Sequence, residues 1–179
     1  MLRTVAKALR ACEAMAAVEF ALLAPILVGL FLGTIELTDA LICDQKVTGL
    51  ASTAADLVAQ ETYITTTSMS NVFSAVNSIV YPYPTANIRV VVSSLVDEGH
   101  GGATVAWSCA EHTSARAVNS AVTVPTGVIT SGGSVILTEI TYPFSSAVGK
   151  LIVGTRNMTS SFYARPRRST TVTGPAACP

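Results

Sequence analysis

The fold of this chain is decided near its N-terminus, by Ala14-Met15-Ala16-Ala17-Val18-Glu19-Phe20 and the apolar run ALLAPILVGLFLGTI at 21–35. The uncharged part, from Phe20 to Ile35, is 16 residues long. With the alanine-rich residues before it and the apolar residues up to Leu41, the helix covers about 25 residues, which is enough to cross roughly 30 Å of hydrocarbon. The sequence therefore predicts a membrane-spanning helix.

Glu19 is the unusual residue of this segment, because it stands directly before the uncharged run. Burying a carboxylate at the centre of a bilayer costs about 2.5–3.5 kcal/mol, and less near the interface. The position therefore predicts either a partner for Glu19 or simple solvation of its carboxylate among lipid headgroups.

A cleaved secretory signal is the main alternative to a retained membrane helix. Such signals combine a positive start with a shorter apolar core that ends in a small-x-small cleavage site. The nearest candidate site is Thr38-Asp39-Ala40, which carries an acidic residue and follows Glu36 closely. This pattern favours a retained helix.

The charged residues are not evenly spread on the two sides of the apolar run. Three basic residues precede the run and three acidic residues follow it: Arg3, Lys7 and Arg10, then Glu36, Asp39 and Asp44. Flanks rich in Lys and Arg remain in the cytoplasm. We therefore expect a single-pass protein whose N-terminus is cytoplasmic and whose remaining residues lie outside.

The whole chain has 179 residues, of which 50% are hydrophobic and 12% charged, with a formal net charge of +0. This length favours one globular domain plus an appendage, and the zero net charge predicts no general attraction to nucleic acid. We divide the chain into a basic cytoplasmic leader (1–14), a transmembrane and extended helix (15–60), an external α+β domain (61–166) and a C-terminal tail (167–179).

Two helices are predicted. Apolar residues continue at helical spacing from Asp44 to Gln60, so one long helix should run from about Ala14 to Gln60. A second helix is predicted at 71–80, with Ser70 as its N-cap. Its apolar face consists of Val72, Phe73, Val76, Ile79 and Val80. The prolines of the segment 81–84 end this helix.

The remaining chain favours strands, because its apolar residues alternate with polar ones. Four strands are predicted. The first begins at Ile88 and is ended by the glycine-rich segment that starts at Asp97, and the others are 104–109, 135–142 and 158–165. The first two form a hairpin across the glycine-rich turn. In the third strand, Ile136, Ile140 and Tyr142 share one face. The fold class is therefore α+β, with an antiparallel sheet of about four strands. The tail should be loose unless Cys178 holds it.

The four cysteines fall into two compartments if this topology holds. Cys12 would be cytoplasmic and reduced, whereas Cys43, Cys109 and Cys178 would face an oxidising space in which disulfides persist. Cys109 ends a strand, and Cys178 closes a tail with little else to hold it. Cys43 lies next to the bilayer and is a poorer partner, so we predict a Cys109–Cys178 disulfide.

A ridge of small residues runs along the membrane helix, since Ala21, Pro25, Gly29 and Gly33 are each four positions apart. Small residues at this spacing let two helices approach closely in lipid. Glycine is also common in membrane helices generally, so the ridge predicts either a helix-packing face or an ordinary membrane composition.

Residues suited to catalysis are few. His100 and His112 lie in polar loops without a recognisable ligand spacing. Glu111 and His112 beside Cys109 could suggest a metal site, but a ligand cluster needs more members, and exposed loop residues are the better interpretation. We therefore expect neither an enzyme nor a metal or cofactor site.

Two N-terminal motifs, Ala16-Ala17-Val18-Glu19-Phe20-Ala21-Leu22-Leu23-Ala24-Pro25 and Gly33-Thr34-Ile35-Glu36-Leu37, resemble the TadE-like pseudopilins of the tight-adherence (Flp-type) pilus system. A weaker similarity covers Ile140-Thr141-Tyr142-Pro143-Phe144 and the segment from Met158 to Pro166. The resemblance implies a pilin-like fold in the bacterial inner membrane, with the external domain in the periplasm.

The resemblance also implies processing and partners. A prepilin peptidase would cut between Ala14 and Met15, where the family usually has glycine at the position of Ala14, and Glu19 with Phe20 would belong to the recognised segment. Partners would be other pilins or pilus-assembly proteins, and the role would be assistance in pilus assembly or as a minor pilus component. Without cleavage the chain would be an anchored external domain, and a membrane-anchored envelope binding domain unrelated to pili is the alternative function.

Overall fold

A single long helix, α1 (Leu2–Ala59), begins the fold and is 58 residues long. In the computed structural model of the chain, the described residues are 2–99, 102–146 and 154–179, and within 2–14 only the backbone is described. At 1.5 Å per residue, α1 is about 87 Å long. The predicted end near Gln60 is confirmed, while the helical backbone begins earlier than the predicted Ala14.

The two halves of α1 have different surroundings. Between Met15 and Ile42 its large apolar side chains are exposed, and this helix is long and apolar enough to cross a membrane. Beyond this point one stripe of α1 is completely buried against the rest of the chain: Cys43, Val47, Leu50, Ala51, Ala54, Ala55, Val58 and Ala59. Most of these side chains are small, and they recur at helical spacing, so the sheet can approach the helix closely.

The second helix, α2 (Thr66–Val80), begins earlier than the predicted Asn71. Its N-cap is Thr65, whose hydroxyl accepts a hydrogen bond from the backbone N–H of Ser68 at 3.0 Å, so the predicted cap at Ser70 is wrong. The polar connector supplies the first helical turn, and the earlier hydroxyl satisfies an N–H that would otherwise lack a partner. The predicted apolar face is buried except for Ile79, which is 43% exposed.

Within the described ranges, five antiparallel strands follow α2, so the α+β class is confirmed. They are β1 (Arg89–Asp97), β2 (Ala103–Glu111), β3 (Ala121–Val122), β4 (Ser134–Phe144) and β5 (Arg156–Ala164), in the spatial order β3-β2-β1-β4-β5. β1 and β2 form the predicted hairpin. β3 was not predicted, because two residues are too few to produce an alternating pattern.

The sheet buries apolar residues on both of its faces. Ile136, Ile140 and Tyr142 share the predicted face and join the core formed with α1 and α2. Val135 and Leu137 point to the opposite face, where they pack with residues of β1 and β2 in a second, smaller cluster. The loop between β3 and β4 covers this cluster, and alternation along β4 therefore separates two apolar faces rather than an apolar and a polar one.

The C-terminal tail is held at several points and not by Cys178 alone. Val172 is only 2% exposed, and its carbonyl accepts a hydrogen bond from the indole N–H of Trp107 at 2.8 Å. Thr173 pairs by its backbone with the connector before α2. The predicted Cys109–Cys178 disulfide is present, with a Cα–Cα distance of 5.4 Å, so Cys178 holds the tail, and the contacts of Val172 and Thr173 add to it without having been predicted.

Candidate functional site

The predicted processing segment lies on the exposed half of α1. Met15 and Phe20 expose 69% and 67% of their surfaces, and Glu19 between them is also exposed. Among the side chains that the structure describes, none forms a hydrogen bond or ion pair with the Glu19 carboxylate. The side chain of Ala14 lies outside the described residues. Glu19 is thus presented on an apolar helix surface without a described partner from its own chain.

A second carboxylate, Glu36, marks the other end of the apolar run. Glu36 follows Glu19 by seventeen positions, which is about 25 Å along a helix and less than the roughly 30 Å of bilayer hydrocarbon. Glu36 accepts a hydrogen bond from the hydroxyl of Ser146, which follows β4. No pattern in the sequence indicates this contact, because its partners are 110 residues apart. The fold therefore supplies a partner for Glu36 and none, among the described side chains, for Glu19.

The ridge of small residues is open along the membrane half of α1. Ala21 and Pro25 are exposed, and a methyl group added at Gly29 or Gly33 would meet no atom within 4 Å outside the helix itself. The single chain therefore leaves room for a second helix along this ridge. Its role in helix packing stays a prediction.

Where α1 leaves the apolar run, residues of the helix contact a group of aromatic residues of the domain. We call these residues together the exit cluster. Its members are Asp39, Lys46, Tyr81, Tyr83, Tyr142 and Phe144. The Tyr83 hydroxyl donates to the backbone carbonyl of Asp39 at 3.2 Å, and the Tyr83 ring lies 6.0 and 6.1 Å from those of Tyr142 and Phe144. These contacts fix the domain to one level of the helix.

Lys46 completes the exit cluster from the helix side. Its ammonium donates a hydrogen bond to the carbonyl of Tyr81 and lies 5.9 Å from the centre of the Tyr83 ring. Burial raises the pKa of the Tyr83 and Tyr142 hydroxyls above its ordinary value. Sequence reasoning treated 81–84 only as a helix stop, because these tyrosines are far from the apolar run in the chain and only the fold brings them beside α1.

The remaining candidates occupy structural positions. His112 forms a hydrogen bond through Nδ1 with the carbonyl of Ile88 at 2.9 Å, and Glu111 accepts one from Asn77. Cys43 is buried and unbridged. His100 lies outside the described residues. Within the described ranges, no group of three or more His, Cys, Asp and Glu side chains is placed to hold a metal ion.

The basic segment after β5 is engaged with the domain. Arg165 donates to the carbonyls of Gly127 and Val128, and Arg167 forms an ion pair with Asp56 of α1. Beside these arginines lies an open cavity of about 650 Å³ between the outer half of α1 and the end of β5. These arginines therefore join loops to the helix, and their side chains are partly committed within the chain.

Comparison with known proteins identifies the helical part of the chain. A search among curated proteins returns no match, and a search among solved structures returns none either. The family model of TadE-like proteins matches residues 14–56, which run from the predicted processing position through the exposed half of α1 and into its buried half. Residues 14–56, which include Glu19, the ridge and the helical side of the exit cluster, are therefore similar to TadE-like proteins, as the resemblance in the sequence indicated.

Proposed function

We propose that this chain is a membrane-anchored, pseudopilin-like protein that assists assembly of a tight-adherence pilus, either as a minor pilin or as an assembly component. The observation that carries the proposal is the TadE-like match over residues 14–56, because it falls on the exposed apolar helix. The proposed role is structural rather than enzymatic, and its partners are other pilins or pilus-assembly proteins.

The proposed location is the bacterial inner membrane, with the N-terminus in the cytoplasm and the domain in the periplasm. The basic residues before the apolar run and the acidic residues after it support this orientation. The Cys109–Cys178 disulfide supports it as well, since disulfides persist in the periplasm and are rare in the cytoplasm.

Glu19 is proposed to act in docking between chains. If a prepilin peptidase cuts after Ala14, the new amine of Met15 lies four residues from Glu19, about one helical turn away. An ammonium and a carboxylate attract strongly in a medium of low dielectric constant, and neither is cheap to leave unpaired there. The exposed ridge offers a close packing face for the incoming helix.

Deletion of the gene in its host, followed by complementation, tests the proposed function. We expect the deletion strain to lose pili in electron micrographs and to adhere poorly, and the wild-type chain to restore both. The complementing chain should fractionate with the inner membrane. A deletion strain with normal pili would overturn the pilus role and favour the alternative, an anchored envelope domain unrelated to pili.

A further inference from the structure

The exit cluster lies at a definite depth relative to the bilayer. With the midplane halfway between Glu19 and Glu36, the hydrocarbon reaches about 15 Å and the headgroups about 20–22 Å to each side. At 1.5 Å per residue these limits are about 10 and 14 residues from the midplane, so the headgroup layer includes roughly positions 38–42 of α1. Asp39 therefore lies within this layer.

The folded domain reaches down to the same depth. The Tyr83 hydroxyl contacts the Asp39 carbonyl, and Ser146 contacts Glu36, three residues deeper. Helical side chains point toward the N-terminus of their helix, so the Lys46 ammonium also reaches back toward the membrane, where it holds the carbonyl of Tyr81. One segment of the domain is thus fixed to α1 within the headgroup layer, at Asp39, and a second just below its inner boundary, at Glu36.

We propose that the segment Tyr81–Pro84, together with Lys46, is a membrane-seating surface that contacts the phospholipid headgroups of the bilayer crossed by α1. This inference rests on the membrane anchoring proposed above. Phospholipid headgroups are the expected ligand because the helix that enters the bilayer also carries this surface. The surface begins at the depth of the headgroups.

The chemistry of the surface fits lipid headgroups. Tyr81 is 76% exposed although it is a large aromatic residue, and tyrosine is enriched where an apolar ring meets a wet, polar layer. An ammonium has three N–H donors, and the Tyr81 carbonyl takes one from Lys46, so the others can approach a lipid phosphate. Tyr83 is held by its own contacts and acts as the support of Tyr81.

Tryptophan placed at Tyr81 tests the seating surface. The natural chain has one tryptophan, Trp107, which serves as a constant background in both variants. Val118→Trp is the matched control: Val118 is 58% exposed, and the adjoining Asn119 N–H donates to the carbonyl of Val105, which pairs with Leu95. Leu95 also pairs with Val135, which is seven residues along β4 from Tyr142 of the exit cluster, a distance of about 23 Å.

The full-length variants are reconstituted in phosphatidylethanolamine–phosphatidylglycerol vesicles that contain a phospholipid with a nitroxide headgroup. We expect the fluorescence added by Tyr81→Trp to be quenched more than about twice as strongly as that added by Val118→Trp, with a blue-shifted emission. Equal quenching of the two variants would overturn the seating surface. Flotation of the protein with the vesicles distinguishes a failure of the seating surface from a failure of membrane anchoring. Protein that floats but whose added tryptophan is not quenched refutes the surface alone. Protein that fails to float refutes the anchoring as well.

Discussion

The hydroxyl of Ser146 donates a hydrogen bond to the carboxylate of Glu36, 110 residues earlier in the chain. The other carboxylate of the apolar segment, Glu19, has no such contact among the described side chains. A charged group near hydrocarbon is costly unless it is paired. The fold therefore satisfies Glu36, whereas the proposed partner of Glu19 would have to come from another chain or from the new amine of Met15.

Glu19→Gln should abolish piliation and leave the protein intact. Glutamine keeps the shape and polarity of the side chain but removes the charge that would pair with a neighbouring amine. We expect normal protein levels and an intact external domain, with pili absent in micrographs and surface adherence lost. Glu61→Gln, an exposed carboxylate beyond the membrane segment, is the control and should behave as wild type. Wild-type pili with Glu19→Gln would refute the assembly role, whereas loss of the protein would indicate a role in insertion.

The mature protein should begin at Met15. A small residue at position 14 suits a peptidase that cuts before the Glu19 segment, and alanine is the smallest side chain after glycine. Intact mass and N-terminal sequencing of protein purified from the natural host measure this directly. A chain that begins at Met1 would show that the leader is retained, and the amine proposed to pair with Glu19 would not exist.

A reporter fused after Pro179 should be active only outside the cytoplasm. The expected cause is the basic flank at Arg3, Lys7 and Arg10, which remains on the cytoplasmic side. Two reporters are compared. Alkaline phosphatase requires an oxidising space, whereas green fluorescent protein favours the cytoplasm, so the two fusions should give opposite results. Activity of either one shows that the fusion is expressed. Phosphatase activity is expected, and fluorescence without phosphatase activity would reverse the orientation.

Removing the Cys109–Cys178 disulfide should destabilise the domain. Its cysteines are 69 residues apart, and closing a loop of this length contributes up to about 4 kcal/mol on the chain-entropy model. The expected loss is about 2–4 kcal/mol, measured by urea unfolding of the full chain in detergent with Trp107 fluorescence as the probe. A reductant should shift the unfolding midpoint of the wild type but not that of the Cys109→Ser/Cys178→Ser variant. Peptide mapping that joins Cys43 to either cysteine would contradict the pairing.

Gly174→Ala should loosen the tail. A Cβ atom at this position would lie 2.3 Å from Cγ of Trp107, so either the indole or the tail must move. Overpacking of this kind costs about 1–3 kcal/mol. Gly49→Ala is the matched control, because a Cβ there meets no atom within 4 Å and alanine favours the helix by roughly 0.5–1 kcal/mol. The two variants should shift the urea midpoint in opposite directions, and a neutral Gly174→Ala would show that the tail is not packed on the indole.

Local patterns determined the main elements. The membrane helix, its continuation to about Gln60, the four longer strands and the hairpin all depend on the spacing of apolar side chains, which a sequence displays directly. The Cys109–Cys178 pairing could also be predicted from the sequence. The predicted topology places Cys12 in the cytoplasm, and Cys43 lies next to the bilayer, so few other pairings were left. The cap of α2 was missed because several neighbouring hydroxyls could cap it, and the packing of the helix decides which one does.

The tertiary structure alone decided which distant groups meet. Ser146 reaches Glu36, Tyr83 reaches Asp39, and Trp107 holds the tail at Val172. No periodicity joins such pairs, because they depend on strand register and on the level at which the sheet packs against α1. The sequence by itself determined that the chain has a helix long and apolar enough to cross a membrane, with a carboxylate at each end of its uncharged run. Only the packing of the domain determined that Glu36 has a partner within the chain, whereas Glu19 has none among the described side chains.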